Sequence, residues 1–170
     1  IYGATVSGTV TLNNCTALSS VAPPASISLD ATWFDDALPA GATQSGNGLI
    51  DATQVASGAL AIHLSGAAAG ERTFAFTGAS PWTIGPNDRL VLHALVNPCN
   101  PPRQILVSWK GGTTQYRASW GQSRIEPTTA HTKIGVLPRG GEWVRLEVLA
   151  RSLGITSNTS MTELSIRIMD

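Results

Sequence analysis

Few side chains in this sequence could carry out covalent chemistry. Nucleophilic catalysis needs a serine or cysteine beside a histidine, and the chain has three histidines, two cysteines and no Gly-x-Ser-x-Gly elbow. His93 lies inside an apolar run and is expected to be a core residue with satisfied hydrogen bonds. His63 is expected to face outward between two apolar residues, and His131 is placed in a loop. The sequence therefore predicts a protein that is not an enzyme and has no catalytic residues.

The side chains that could bind a metal are scattered along the sequence. The histidines lack the i, i+4 or clustered spacing of a zinc site. Asp35 and Asp36 are adjacent acidic residues, and they allow two interpretations. They could bind Ca²⁺ together with Asp30 or Asp51, or their carboxylates could cap backbone N–H groups of a turn. The capping interpretation is preferred, so no metal or other cofactor is predicted, and Asp35 and Asp36 stay as weak Ca²⁺ candidates.

A possible carbohydrate site is suggested by the aromatic residues. The chain has five tryptophans, and aromatic rings with one face exposed can pack against a sugar ring. Trp109, Tyr116, Arg117 and Trp120 lie on one predicted hairpin and form the candidate sugar-binding group. In the simplest register, however, both tryptophans lie on the apolar face of that hairpin. The group is therefore either a sugar platform or part of the core, and the core alternative is favoured for most of its members.

The two cysteines, Cys15 and Cys99, are expected to form a disulfide. An even pair is typically bonded in a secreted β protein, and the alternative is two buried thiols. The bond would close a loop of about 80 residues, for which chain entropy gives about 4.5 kcal/mol of stabilisation. It would also anchor the end of the N-terminal segment to the proline-containing loop around Cys99.

The N-terminal segment that this bond would anchor alternates between apolar or glycine positions and small or polar positions. This period of two predicts a β-strand whose even-numbered residues share one face. Those residues are Tyr2, Ala4, Val6, Gly8, Val10 and Leu12. A terminal strand can form the edge of its own sheet, or it can complete the sheet of a neighbouring copy. The second outcome is favoured, which makes these six residues the candidate donor face.

The rest of the chain shows the same period of two in short segments separated by Gly and Pro. A tight hairpin is expected at Gly111 and Gly112, and residues 89–96 are apolar on both faces, as in a covered central strand. Residues 143–148 are interpreted as a strand, followed by at most one helical turn over residues 150–153. These features predict an all-β, jelly-roll-like antiparallel β-sandwich of about nine strands with little or no helix.

The length of the chain, 170 residues, fits one main domain. Residues 1–14 are assigned to the N-terminal strand, 15–28 to a linker and 29–170 to the β-sandwich. Charged residues are 13% of the chain, with 11 basic and 11 acidic side chains, so nucleic acid and anionic membranes are not expected partners. Low surface charge favours self-association, and no apolar run is long enough to span a bilayer.

Four segments of the chain resemble a module that recurs in large secreted bacterial surface proteins. They are residues 33–42 (WFDDALPAGA), residues 100–103 (NPPR), Trp109 with the Gly turn after it and Arg117 through Gly121 of the same hairpin, and residues 141–148 (GEWVRLEV). The resemblance covers about residues 29–170 and implies a lectin-like or carbohydrate-module-like β-sandwich at the cell surface. Separately, the N-terminal segment is similar in pattern to the donor strands of pilus subunits, where a small residue such as Gly8 enters a shallow pocket of the acceptor.

Two functions are expected from these patterns. The first is a non-catalytic, extracellular structural module, a filament subunit that assembles with other copies of itself by addition of the N-terminal strand. The alternative is a carbohydrate-binding module of a secreted or cell-surface protein, with a glycan as its partner. Both hypotheses place the protein outside the cell, and neither involves nucleic acid or insertion into a membrane.

Overall fold

The computed structural model describes residues 21–23, 31–64, 70–122 and 131–170. The predicted donor strand, Cys15 and most of the predicted 15–28 linker lie outside these residues. Within the described part, the chain forms twelve strands and one 3₁₀ turn, Ala150–Leu153. The strands are β1 Thr43–Gly46, β2 Leu49–Asp51, β3 Ala61–His63, β4 Arg72–Thr77, β5 Trp82–Ile84, β6 Arg89–Leu95, β7 Gln104–Gly111, β8 Thr114–Gly121, β9 His131–Gly135, β10 Trp143–Leu149, β11 Thr159–Met161 and β12 Glu163–Met169. Among the described residues, no helix has the length and apolar character needed to cross a membrane.

The largest sheet has six strands in the order β1-β4-β12-β7-β8-β9. Its neighbouring strands are antiparallel except β8 and β9, which run parallel. The alternating sequence of β12 explains how the sheet presents two different faces. Its buried residues are Leu164, Ile166 and Ile168, and these alternate with the half-buried polar residues Glu163, Ser165 and Arg167. The predicted alternation of this last strand is therefore confirmed, with one face in the core and the other polar.

A second layer packs against the apolar face of this sheet. Its longest strands, β6 and β10, pair antiparallel, and their residues Leu92 and Leu146 share one apolar core with Val107 and Trp109 of the large sheet. Every residue of β6 except Arg89 is buried, which confirms the prediction of a central strand covered on both faces. The prediction of an all-β, sandwich-like fold is also confirmed.

The strand number differs from the expected nine or so. Four of the twelve strands, β2, β3, β5 and β11, are only three residues long. A period of two cannot be recognised over three residues, because one alternation also occurs by chance in a loop. The prediction of very little helix agrees with the single 3₁₀ turn after β10.

The β7–β8 hairpin has the register expected from its sequence. Its pairs are Trp109 with Tyr116, Val107 with Ala118 and Ile105 with Trp120. The turn uses Gly112, whose φ of +59° lies in the left-handed region that favours glycine. Gly111 is needed for a different reason, since a Cβ built there would lie 2.0 Å from the carbonyl oxygen of Ser160.

Two glycine substitutions in this hairpin should therefore differ in cost. Gly111→Ala is expected to lower the free energy of unfolding by about 1–3 kcal/mol, because the backbone of β11 must move away from the new methyl group. Gly112→Ala meets no atom within 4 Å and should cost only the left-handed conformation, about 1 kcal/mol. Urea unfolding of the two variants measures the difference, and equal losses would show that β11 does not constrain the hairpin.

Candidate functional site

The predicted sugar-binding group is divided between the two faces of the large sheet. Trp109 and Trp120 are only 4% and 5% exposed and belong to the core. Tyr116 lies on their face and packs against the same core, whereas Arg117, one residue further along β8, lies on the opposite face. The prediction of a joint aromatic platform is therefore wrong, because both tryptophan rings are covered by the second layer.

Arg117 instead belongs to a row of polar residues across four strands of the large sheet. Ser165 of β12 is paired with Ser108 of β7, Ser108 with Arg117 of β8, and Arg117 with His131 of β9. Adjacent strands lie about 4.8 Å apart, so the row spans about 14 Å. These four side chains share the face of the sheet that points away from the core.

A second polar row lies beside the first on three of these strands. Glu163 is paired with Lys110, and Lys110 with Gln115. The Lys110 ammonium lies 2.8 Å from the Glu163 carboxylate, and Gln115 accepts a hydrogen bond from the Arg117 guanidinium. We call the seven residues of the two rows the polar face. It contains a recess of about 50 Å³ that is lined in part by Ser108, Lys110 and Glu163.

Several polar atoms on this side of the sheet have no hydrogen-bond partner. The Ser108 hydroxyl, in a residue only 2% exposed, and the Arg117 Nε are both buried and unpartnered. The same is true of both amide atoms of Gln104, which lies on the same side of β7. An unmade hydrogen bond of a buried group costs about 1–3 kcal/mol. Of these residues Ser108 lines the recess, so a polar ligand or water there would recover part of the loss at its hydroxyl.

His131 is also placed differently from its prediction. It begins β9 rather than lying in a loop, and its Nε2 is 2.9 Å from the hydroxyl of the buried Ser119. Burial and, secondly, the Arg117 charge lower the pKa of His131, so the ring is neutral at pH 7. Among the described residues, no carboxylate pairs with His131. Within the part of the chain that the structure describes, this serine and histidine have no third group of the kind that orients a histidine in catalytic triads.

The other two histidines are both buried. His63 is 7% exposed and its Nδ1 lies 3.0 Å from the Asp51 carboxylate, so the prediction that it faces outward is wrong. Strand β3 is covered on both faces, and an inward histidine is tolerated there because Asp51 supplies a partner. His93 lies in the core strand as predicted, but its Nδ1 has no hydrogen-bond partner, so the expectation of satisfied hydrogen bonds is wrong.

The acidic pair at residues 35 and 36 holds a loop in place. One carboxylate oxygen of Asp36 accepts hydrogen bonds from the backbone N–H groups of Ala59, at 2.6 Å, and Leu60, at 2.9 Å. Burial, and then the Asp36 charge, raise the pKa of Asp35, which disfavours the ionised form that Ca²⁺ requires. Among the described residues, no three His, Cys, Asp or Glu side chains gather as a metal site. Asp36 thus has the capping role rather than a free carboxylate for Ca²⁺.

An apolar cleft lies between the two layers, near the end of β6. It has a volume of about 30 Å³ and is lined by the aliphatic side chains of, among others, Leu64, Leu95, Ile105 and Ile168. Cys99 follows β6 by four residues and is disulfide-bonded. The sequence has one other cysteine, Cys15, which lies outside the described residues, so its pairing with Cys99 stays a prediction.

Stability should decrease on acidification because of two histidines. Burial, with a smaller effect of the Arg145 charge, lowers the pKa of His93, and the pKa of His131 is lowered as described above. The two histidines of the unfolded chain take up protons at a pKa of about 6.5, whereas in the folded chain both rings take them up only at lower pH. We therefore expect the free energy of unfolding to fall as the pH decreases from about 7.5 to about 5.5. Denaturant unfolding across this range measures the slope.

His93→Leu provides the control for this prediction. The substitution removes one of the two histidines that the folded state keeps neutral, together with an unpartnered buried nitrogen. Its stability should therefore depend less on pH than that of the unmodified chain. An unchanged slope in this variant would show that His93 protonation is not linked to folding.

Comparison with known proteins adds no relative to these observations. No family model matches the chain, and no curated protein and no solved structure matches it. The fold and the site geometry together define an all-β, sandwich-like protein with a polar recess on the outer face of its largest sheet.

Proposed function

We propose that this chain is a non-catalytic, extracellular binding module whose polar face takes a carbohydrate. The observation that carries this proposal is the unpartnered hydroxyl of Ser108, a residue that lines the recess on that face. A sugar presents hydroxyl groups that both donate and accept hydrogen bonds, and these would match the amide, carboxylate, ammonium and hydroxyl groups of the two rows.

The polar face also indicates the mode of binding. None of its seven residues is Phe, Tyr or Trp, so the contacts would be mainly hydrogen bonds rather than stacking of a sugar on a large ring. Interfaces dominated by hydrogen bonds show favourable enthalpy offset by unfavourable entropy. We therefore expect binding that is driven by enthalpy in calorimetry and is weak for sugars without matched hydroxyl groups.

A glycan array followed by calorimetry on the full chain tests the proposal. Ser108→Ala should weaken the glycan that binds by about fivefold, the equivalent of one hydrogen bond, while leaving stability unchanged because it removes a group without a partner. Ser80→Ala, a change of the same size at an exposed residue between β4 and β5, is the matched control and should not alter binding. If the full chain binds no glycan, or if the two variants behave alike, the proposal fails.

We also propose, as a second function, self-assembly by addition of the N-terminal strand. The observation that favours it is the alternation of apolar and polar residues over positions 1–12, since a strand of this pattern is suited to join the sheet of a neighbouring copy. The donor face would be Tyr2, Ala4, Val6, Gly8, Val10 and Leu12 of another copy. The low proportion of charged residues, 13%, provides little repulsion between copies.

Light scattering on three versions of the chain tests this second proposal. The unmodified chain should assemble as its concentration rises, and deletion of residues 1–12 should leave a folded monomer. The double variant Val6→Lys and Val10→Lys keeps the length of the segment but places two charges on the apolar face, so it should also remain monomeric. Assembly that persists in both altered chains would rule out strand addition by this segment.

A further inference from the structure

We infer that the ligand of the polar face is an acidic carbohydrate whose carboxylate binds the Arg117 guanidinium. This inference rests on the proposed carbohydrate-binding function and specifies the chemical class of the sugar. It is carried by the distribution of charge over the outer side of the large sheet and by the unused donors of Arg117.

The outer side of the sheet has an excess of positive charge. The cations on its strands are Lys110 of β7, Arg117 of β8, Lys133 of β9 and Arg167 of β12, and their register places them on the same side as Ser108. Glu163 is the one carboxylate that the described strands add to this side. Glu71, just before β4, adds a second carboxylate through its pair with Arg167. Four cations and two carboxylates leave a net positive charge, which attracts anions.

The partners of these cations distinguish Arg117 from its neighbours. Lys110 is paired with Glu163 at 2.8 Å, and Arg167 is paired with Glu71 at 3.2 Å. Among the described residues, no carboxylate lies within 4.0 Å of the charged groups of Arg117 or Lys133. Arg117 is thus a cation in the middle of the polar face whose charge is not neutralised by the described part of the chain.

The guanidinium of Arg117 is also held in place while keeping donors free. One of its terminal nitrogens donates to Gln115 on the same strand, and its Nε is buried without a partner. A guanidinium has five N–H donors and suits the two oxygens of a carboxylate. Because Arg117 is only partly exposed, a carboxylate bound to it would be less screened by water than one on a fully exposed arginine.

The neighbours of Arg117 fit the rest of a sugar. Ser108 is its partner on one side and His131 on the other, and the neutral histidine ring adds no competing charge. The Ser108 hydroxyl can donate or accept a hydrogen bond, as a sugar hydroxyl requires. A carboxylate on Arg117 would therefore place the adjoining sugar hydroxyls over the two polar rows.

Two closely related sugars test the inference directly. Calorimetry would compare a galacturonic acid trimer with its methyl ester, which has the same ring and hydroxyl groups but no charge, on the full chain. We expect the acid to bind about 10-fold to 100-fold more tightly, as charge-assisted hydrogen bonds require. Acetate, which has the carboxylate without the sugar, should bind weakly, and added salt should reduce the affinity for the acid.

Three variants assign the effect to Arg117. Arg117→Gln should reduce the affinity for the acid to that for the ester, and Arg117→Lys should retain part of the difference because it keeps the charge but loses the planar fork. Arg139→Gln makes the same change of charge at an exposed arginine outside the polar face and should leave the difference intact. Thermal unfolding of each variant checks that the fold is preserved.

The outcomes separate this inference from the proposed function. If the acid and the ester bind equally and Arg117→Gln weakens both alike, the acidic sugar is overturned while carbohydrate binding stands. If acetate binds as tightly as the trimer, the face is an anion site and the inference about a sugar is also overturned. If no sugar on the array or in calorimetry binds, the proposed carbohydrate function fails together with the inference.

Discussion

Replacing Trp109 with alanine is expected to lower the free energy of unfolding by about 3–5 kcal/mol. The indole is 4% exposed and lies in the single core cluster that joins the two layers. It contacts a region lined by Leu90, Leu92 and Leu164, where the remaining space is only about 10 Å³. Truncation would therefore open a cavity that rigid neighbouring strands cannot close. Denaturant unfolding, followed by the circular dichroism of the sheets, measures the loss.

Two further variants test whether this loss reflects burial. Trp109→Phe retains an aromatic ring and should lose much less than the alanine variant, because less volume is removed. Tyr116 is the cross-strand partner of Trp109 and is only partly buried. Tyr116→Ala should therefore lower the free energy of unfolding by less than Trp109→Ala does. A loss below about 1 kcal/mol for Trp109→Ala would show that the indole is on the surface, as a sugar platform requires. If Trp109→Ala loses about 3–5 kcal/mol of stability as expected, weaker sugar binding by that variant would result from unfolding and not from the loss of a contact with the sugar.

The behaviour of the β7–β8 hairpin shows how far the sequence can predict this fold. Two glycines at the turn and the alternation on each side are local features, and together they fix which residues are paired. They also predict that Trp109 and Trp120 share the face of their apolar neighbours. What they do not reveal is the opposite face, because β7 is buried on both sides and its polar residues Gln104 and Ser108 stand among apolar ones.

The polar residues within the apolar strand β7 are the sequence signal that could have pointed to the candidate site. Gln104 and Ser108 lie on the same side of β7, with the buried Leu106 between them, and two buried polar residues on one side break the pattern of a core strand. Arg117 was recognised, but with companions from the wrong face, since adjacent residues of a strand point in opposite directions. The sequence thus predicts the β7–β8 hairpin and its register, but it groups Arg117 with residues of the opposite face.

His131 could not have been placed by any local pattern. It becomes a neighbour of Arg117 and Ser119 through the parallel pairing of β8 with β9, and a parallel pair needs a long connection whose path the sequence does not show. The burial of His63 has a related cause. Its strand, β3, has only three residues, and the parts of the chain that bury it are distant in sequence. Pairings between distant segments, rather than local propensity, bring the polar face together.

Replacing Cys99 with serine is expected to destabilise the chain by about 2–5 kcal/mol. Cys99 is disulfide-bonded and lies in the loop after β6, where its N–H donates to the side chain of Asn97 at 2.9 Å. The bond restricts the unfolded chain, and the restriction grows with the length of the closed loop. With Cys15 as the predicted partner, that loop would be about 80 residues long, near the upper part of the range.

Reductant distinguishes the disulfide from the other contacts of this loop. The unmodified chain should lose stability on reduction, to about the level of Cys99→Ser, and the variant itself should not respond to reductant. Cys15→Ser should match Cys99→Ser in both conditions if the two cysteines are bonded to each other. A chain whose stability is the same with and without reductant would mean that the bond adds nothing to the folded state, because strain in the native loop cancels the entropy gained. Non-reducing gels of the assembled chain add the remaining distinction, since a bond between copies would give a covalent dimer and a bond within one copy would not.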